Sequence, residues 1–419
     1  MDLVDVAIIG AGPAGLMCAY RCASAGLKAV LIEKNEKPGR KLLASGAGRC
    51  NVSSARALDA YLSAYGDKGR FVKSALMNFS SASLRAFFEE RGLPLAELHD
   101  GKLFPATERA SDVLRALVES CDKAGAILIR GNPVREITRS READGGFEIL
   151  CEREALRSAR VVISCGGASY PATGSAGDGY RFAAALGHAI VAPRPALAAV
   201  YPVSYDCVSC AGIALETTRV TWRRDGKKVG EREGSVLFTH EGLSGPAILD
   251  SSRDIKPGDE ISLAVAGTCA VETLSARLVE ACAASPKKNL KNLIASLGIP
   301  EALALVALSR CGTGLEHRTG ATLSRETRRA VAEALADFRF TVARLGGFGE
   351  AMATAGGVDT REVSMRTMES LLVPGLYFAG EVLDVDGDTG GFNLQFAFSS
   401  GALAATSITK TRARHVASI

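Results

Sequence analysis

Gly10, Gly12 and Gly15 give the spacing G-x-G-x-x-G inside VDVAIIGAGPAGLMCAYRCASAGLKAVLIEK. That spacing serves phosphate chemistry. Gly10 permits a tight turn, Gly12 lets the backbone approach a pyrophosphate, and Gly15 lets a helix sit close on a strand. The helix N-terminus, including the amide of Ala14, offers unpaired N–H groups and a positive dipole end to the phosphate charge. Glu33 ends the next strand, 18 residues after Gly15. Its carboxylate can accept hydrogen bonds from ribose hydroxyls and repels a 2′-phosphate. Strand, turn, helix, strand and acid in this order predict a dinucleotide site. The motif alone does not separate NAD from FAD.

A second small-residue loop follows at once in KPGRKLLASGAGRCNVSS. Lys34, Arg40 and Lys41 have the reach and charge to meet phosphate oxygens. Ser45, Gly46, Ala47 and Gly48 let backbone amides approach a planar ligand, and Arg49, Cys50 and Asn51 place polar groups beside them. A plain surface loop fits the same residues equally well. Two glycine loops so close together suit a cofactor longer than NAD.

The last tenth of the chain, GLYFAGEVLDVDGDTGGFNLQFAFSSG, complements the first. Glu381 follows the strand-ending Gly380, where a carboxylate can hold polyol hydroxyls. Gly390 and Gly391 clear side chains from the approach to a flat ring. Asn393 then opens a helix with an apolar body that includes Leu394, Phe396 and Phe398. Its positive end favours negative charge on that ring by ~0.3–2 kcal/mol. The alternating Asp384, Asp386 and Asp388 imitate a calcium loop, but no bidentate Glu follows at loop position 12. No metal site is expected.

These motifs need elements to carry them. A chain of 419 residues exceeds one ordinary core, so two domains are expected. Residues 74–91 and 109–124 read as amphipathic helices, and AILIRGNPVREI, GGFEILCE and RVVISCGGAS read as strands. Three prolines between 193 and 202 mark a crossover. Asp225-Gly226 predicts a hairpin. Helices are expected over roughly 271–284, 286–297, 300–310 and 324–337. The predicted fold is α/β: a Rossmann-like domain over 1–190 and 341–419, interrupted by a β-rich and helical insert over 191–340 on the substrate side.

GAGPAG, KLLASGAGRCN, GGASYPATGSAGDGY, FTHEGLSGP and GEVLDVDGDTGGFNLQFAFSSG occur in this order, spanning roughly 4–405. Together they resemble the bacterial FAD flavoprotein family that includes aminoacetone oxidase and a bile-acid enone reductase. The resemblance implies FAD in an extended pose, an insert domain and chemistry at the flavin. It implies that Ala14, Glu33, Lys34, Arg40, Lys41, Gly46, Cys50, Asn51, Val134, Glu381, Asn393 and Leu394 line FAD, with Val134 as strand backbone against adenine. The family loop reads S-G-G-G-R-C-N-x-T-N; Ala47 and Ser53-Ser54 depart from it.

The flavin carries the hydride step, and the protein orients substrate. His240 in FTHEGLSGP is one of five histidines and is the candidate catalytic base, against a solvated or structural histidine. Arg49 can hold an anionic substrate or the reduced flavin, or simply a phosphate. Cys50 reads first as a packing thiol, because no resolving cysteine is near. Cys207 and Cys210 form a C-x-x-C without the further ligands that zinc needs. The expected function is FAD-dependent hydride transfer with a small organic substrate, an amine or an enone. An NAD-dependent dehydrogenase using only the first site and a non-catalytic flavin-binding regulator are the alternatives. No second G-x-G-x-x-G is present, so NAD(P)H, where it serves as the reductant, is expected to dock transiently without a Rossmann unit of its own.

Composition sets the remaining bounds. Net charge is +4, with no basic stripe interleaved with aromatics, so a nucleic-acid partner is not expected. No apolar run of ~18 residues predicts a membrane span. MDLVDVAIIG lacks a basic n-region, so no signal peptide is expected. Eleven scattered cysteines fit reduced thiols in a cytoplasm.

Overall fold

The computed structural model describes residues 3–140, 145–267 and 270–417. They form two compact units: Met1–Pro195 with Met352–Ile419, and Ala196–Ala351. The fold is the mixed α/β architecture expected, with a Rossmann-type first unit and a β-rich and helical second one. Both unit boundaries fall later than the 191 and 340 read from sequence. Strand Ile190–Ala196 pairs with Ala353–Val358 and so stays with the first unit. Strand Phe338–Leu345 completes a barrel in the second unit and draws its end to Ala351.

The first unit is built on a five-stranded parallel sheet. Its order is Leu376–Phe378, Val161–Ile163, Val6–Ile9, Ala29–Ile32, Ile127–Ile129. Parallel strands covered on both faces read as continuous apolar runs, and VAII, AVLI, VVI and LYF are wholly buried. Val161 pairs with Ala7 on one side and with Leu376 on the other. A single strand, Val161–Ile163, therefore separates Leu376–Phe378 from the first strand of the motif. Helix Pro13–Ser24 starts with Pro at its first turn, where a missing N–H is harmless. It packs against the long C-terminal helix, Phe392–Ala417.

The helix read over 74–91 is two helices, Gly69–Asn78 and Ser81–Glu89. Ser80 breaks it: its hydroxyl caps the second helix by accepting from Ser83 N at 3.2 Å. A serine cap inside an apolar period looks like a solvent-face residue in sequence, which hides the break.

The second unit holds a closed six-stranded barrel. Its order is Val200–Pro202, Leu243–Ser244, Lys227–Phe238, Ala214–Arg224, Glu260–Leu263, Phe338–Leu345. Asp225 and Gly226, both at positive φ (51° and 73°), turn the long hairpin. Helices Val271–Ala284, Leu290–Ala295, Glu301–Cys311 and Arg325–Ala336 follow. Among the described residues no helix is long and apolar enough to cross a membrane, and all described cysteines are free thiols.

His188 ties the sheet end to the segment before the last strand. It is buried, stacks edge-on against Phe378 at 4.9 Å, and bonds Ser370 Oγ through Nε2 at 2.8 Å. Ser370 Oγ already accepts from Leu372 N and Val373 N, so its own proton goes to Nε2 and the ring must be neutral. Burial lowers the His188 pKa, against an opposing pull from Glu362. Below about pH 6.5 the unfolded ring takes a proton that the native ring refuses. Stability supplied by this residue is present above that pH and falls as pH drops through it, by at most about 1.4 kcal/mol per pH unit. Urea midpoints at pH 7.5 and 5.5 should therefore diverge less in His188→Gln than in the parent chain.

Candidate functional site

The three motif glycines are not equivalent. A Cβ at Gly10 would lie 2.7 Å from the Ser164 carbonyl oxygen, and one at Gly15 would lie 1.9 Å from the Gly10 carbonyl oxygen. Packing within the protein fixes both. At Gly12 nothing lies within 4 Å of the Cβ position. Packing within the protein does not require this glycine, and the space beside it is open to a ligand. Gly12 also caps helix Pro13–Ser24 without a side-chain bond, which leaves the first helical N–H groups to an anion.

Glu33 is buried beneath this turn. Its Oε2 accepts from Ala11 N at 2.9 Å, and its Oε1 accepts from Asn35 N at 2.9 Å and Asn35 Nδ2 at 2.7 Å. A carboxylate offers about four acceptor positions. The protein uses three, leaving one for a ribose hydroxyl. Asn132 N donates to the Glu33 carbonyl oxygen at 3.1 Å, which sets strand Val134–Arg139, and Val134 with it, near this acid.

The basic residues are already engaged. Lys34 Nζ pairs with Asp178, Lys41 Nζ pairs with Glu381 Oε2 at 2.6 Å, and Arg40 donates to Asn35 Oδ1 at 3.2 Å. Glu381 Oε1 also accepts from Thr354 N at 2.8 Å. Lys34 and Lys41 are each neutralised by a carboxylate. A pyrophosphate would be held by backbone amides rather than by surplus positive charge.

The second loop turns on a run of left-handed residues: Gly46 at φ 57°, Ala47 at 55°, Gly48 at 86° and Cys50 at 63°. The Asn51 amide, oriented to satisfy its partners, donates to the Ser53 and Leu103 carbonyl oxygens at 2.8 and 3.1 Å. Its oxygen accepts from Gly391 N at 3.0 Å. Gly391 has φ 94°, and a Cβ there would lie 2.3 Å from the Ser53 carbonyl oxygen. Asn393 folds its amide back on Gly387, accepting from N and donating to O, both at 2.8 Å. The helix starts one residue earlier, at Phe392, and Leu394 is half-buried on it. A Cβ at Gly380 would touch Ala14 Cβ at 3.1 Å, and one at Gly401 would lie 2.2 Å from the Ala14 carbonyl oxygen. The two glycine-rich ends of the chain thus meet within one unit.

Other candidates lie elsewhere or are quiet. Arg49 is exposed, 5.1 Å above the Phe104 ring and 3.6 Å from Glu108. The Cys50 side chain is fully buried, and burial pushes its thiol up to about 12, which suits packing rather than redox work. Cys207 and Cys210 are likewise buried with raised thiols. His240 is exposed on the loop after Lys227–Phe238, in the second unit. Lys68 pairs with Asp384 of the acidic loop.

Sequence reading missed Asp178, Thr354, Gly401 and Tyr180. Asp178 and Lys34 are 144 residues apart, and no local pattern announces their pairing. Tyr180 is buried and its phenol finds no hydrogen-bond partner among the described residues. Burial and the charges of Glu381 and Asp384 raise its pKa, so it is a neutral donor. An unpartnered buried donor costs about 1–3 kcal/mol, which an acceptor on a ligand relieves. The open cradle at Gly12, the uncapped helix, the spare position on Glu33 and this phenol fit a dinucleotide.

Glu33→Ala should weaken flavin binding about 10- to 100-fold, the worth of a hydrogen bond to a charged group, as measured by fluorescence titration of the apoprotein. Gly391→Ala should lose bound flavin while the second unit stays folded by circular dichroism. Ala47→Gly should raise stability by up to about 1 kcal/mol, because an L-residue is strained at that φ; denaturant melts of the apoprotein check this.

Comparison with known proteins agrees with the fold. The chain is 34% identical over 404 residues, 96% of each chain, to the ribosomal RNA dihydrouridine synthase of Escherichia coli K12. It is 29% identical to the 3-dehydro-bile acid delta(4,6)-reductase of Clostridium scindens, covering 95% of this chain and 97% of that one. Among solved structures, E. coli quinol fumarate reductase FrdA superposes with a TM-score of 0.52 at 16% identity, over 99% of this chain and 71% of that one. The HI0933-like protein Rossmann domain model matches residues 4–407 and so takes in both glycine clusters. The chain belongs to this HI0933-like Rossmann-domain family.

Proposed function

We propose that the chain is an FAD-dependent reductase of a carbon–carbon double bond conjugated to a carbonyl, and that its substrate is uridine in ribosomal RNA. The observation that carries this reading is the end-to-end similarity to a ribosomal RNA dihydrouridine synthase. Dihydrouridine is uridine with two hydrogens added across a ring double bond next to a carbonyl. The bile-acid relative, by its name, also reduces double bonds conjugated to a ketone. One chemistry covers both, and it favours the enone arm of the sequence reading over the amine arm. The RNA substrate departs from the expected small molecule and from the expectation of no nucleic-acid partner, which rested on the low net charge and the lack of a basic stripe.

FAD, when bound, supplies hydride transfer, which no side chain can perform. The amides after Gly12 would hold its pyrophosphate, Glu33 a ribose hydroxyl, and Tyr180 would donate to one of its acceptors. Glu381, fixed between Lys41 and Thr354 N, holds its carboxylate at a set place beside Gly166 and Gly167. His240 is proposed to hold the proton that the substrate carbon takes. NAD(P)H would deliver two electrons and one proton to FAD, and solvent the second proton. The smaller reading, a free enone as substrate, rests on the bile-acid relative.

The test is anaerobic reduction of the purified yellow protein with NADH or NADPH, followed by protein-free ribosomal RNA. Return of the oxidised flavin spectrum, with a two-hydrogen mass gain on uridine, supports the reading. Reoxidation by a conjugated steroid ketone but not by RNA would move the substrate to the small-molecule class. Bleaching by amines and recovery in air would indicate an oxidase, and protein without flavin would overturn FAD. If His240 handles the proton, His240→Ala should slow substrate reduction at least about tenfold while leaving flavin reduction unchanged.

A further inference from the structure

The net charge of +4 conceals a local concentration of cations in the helical part of the second unit. Between Pro286 and Arg329 there are eight Lys or Arg and three Glu, a surplus of 8 − 3 = 5. Four of the eight are committed. Lys291 pairs with Glu301 at 2.7 Å, Arg310 with Asp206 at 2.6 Å and Arg329 with Glu333 at 2.8 Å. Arg328 donates to the Leu323 carbonyl oxygen at 2.8 Å. Lys287, Lys288, Arg318 and Arg325 are exposed and make no ion pair among the described residues.

Three of these cations are gathered by backbone pairing. Segments 286–290 and 318–321 run antiparallel through the bridge between Asn289 and Thr319. Leu290 N donates to Arg318 O at 2.8 Å, Gly320 N to Lys288 O at 3.2 Å, and Ala321 N to Pro286 O at 3.0 Å. Residues diagonal across such a bridge are about 7–8 Å apart, which brings Lys288 and Arg318 into one patch with Lys287. The support is rigid. Leu290 and Leu293 are buried beneath, and a Cβ at Gly320 would meet Cys282 Cα at 3.0 Å. The acids nearby in sequence are Glu280 on the preceding helix, Glu316, whose carboxylate lies 3.6 Å from His317, and Glu326 on the following helix.

We propose that Lys287, Lys288 and Arg318 form a docking surface for the phosphodiester backbone of RNA. The occupant is chosen by charge complementarity: three cations without an ion-pair partner among the described residues, on segments joined at the Asn289–Thr319 bridge, match a run of phosphates. The inference rests on the ribosomal RNA reading above. It assigns the positioning of that substrate to a surface formed by two sequence segments 30 residues apart, Lys288 and Arg318.

The experiment compares the flavin-loaded parent chain with K287A/K288A/R318A and with K227A/K228A, which removes lysines at the barrel hairpin. Binding of protein-free ribosomal RNA is titrated at several salt concentrations, and flavin content and thermal midpoint are recorded. The expected result is weaker RNA binding by the triple variant. Its plot of log affinity against log salt should be shallower by about 2, from three single-strand phosphate contacts at ~0.7 each. Flavin content and midpoint should be unchanged, and the hairpin variant should stay near the parent. Equal binding by the triple variant and the parent overturns the surface and leaves the ribosomal RNA reading intact. An equal effect in the hairpin variant overturns it too, because net charge alone would then suffice. Failure of the parent itself to bind RNA, with a conjugated ketone still reoxidising its reduced flavin, overturns the reading beneath. If the triple variant loses flavin or midpoint, K287Q/K288Q/R318Q is measured in its place and judged by the same slopes.

Discussion

The candidate site depends on places where no side chain can stand between two backbones. Gly401 lies on the Ala14 carbonyl and Gly391 on the Ser53 carbonyl, each closer than any Cβ could approach. These contacts hold the C-terminal segment against the phosphate turn. Gly380 N donating to Ser400 Oγ at 2.9 Å and the Asn51 amide on Gly391 fasten the same seam with hydrogen bonds. The sheet makes the seam possible, because Val161–Ile163 separates the first and last strands by a single position. A site of this kind is specified by absence of volume. That is why its glycines fall into two sets: those that packing demands, such as Gly10 and Gly15, and Gly12, which packing leaves open.

The two units deal with charge in different ways. Around the glycine turn Lys34, Lys41 and Arg40 each have a partner, so attraction for a phosphate acts over the short reach of aligned N–H groups. Such groups discriminate by geometry and are little affected by salt. In the second unit the unpaired cations are exposed, act over about 8–10 Å, and are screened. The first arrangement suits a cofactor that stays bound; the second suits a large polyanion that must arrive and leave.

Much of the first site was legible because its signals are local. The spacing of Gly10, Gly12, Gly15 and Glu33 encodes turn, helix and sugar acid within one short segment, and Asp225-Gly226 encodes its hairpin in two residues. The pairings of Lys34 with Asp178 and of Lys41 with Glu381 were not legible, because 144 and 340 residues separate the partners. Without them the lysines read by charge and reach alone, and their pairing with acids stays hidden. Glu33 was assigned to ribose, but its larger share of bonds goes to the protein's own turn. Ser80 split a helix whose apolar period ran unbroken. The cluster of Lys287, Lys288 and Arg318 escaped a search for basic stripes, since it exists only once segments 286–290 and 318–321 pair.

The seam between Ala14 and Gly401 also sets an order of events during synthesis. Its two sides lie almost the whole length of the chain apart, and closing a loop that long carries a large entropic penalty before any contact repays it. The barrel and helices of Ala196–Ala351 form one continuous stretch and can collapse as they leave the ribosome. The glycine turn at Gly10–Gly15 must wait for helix Phe392–Ala417. A nascent chain shorter than Gly401 carries the complete phosphate motif and yet lacks the segment that closes against Ala14.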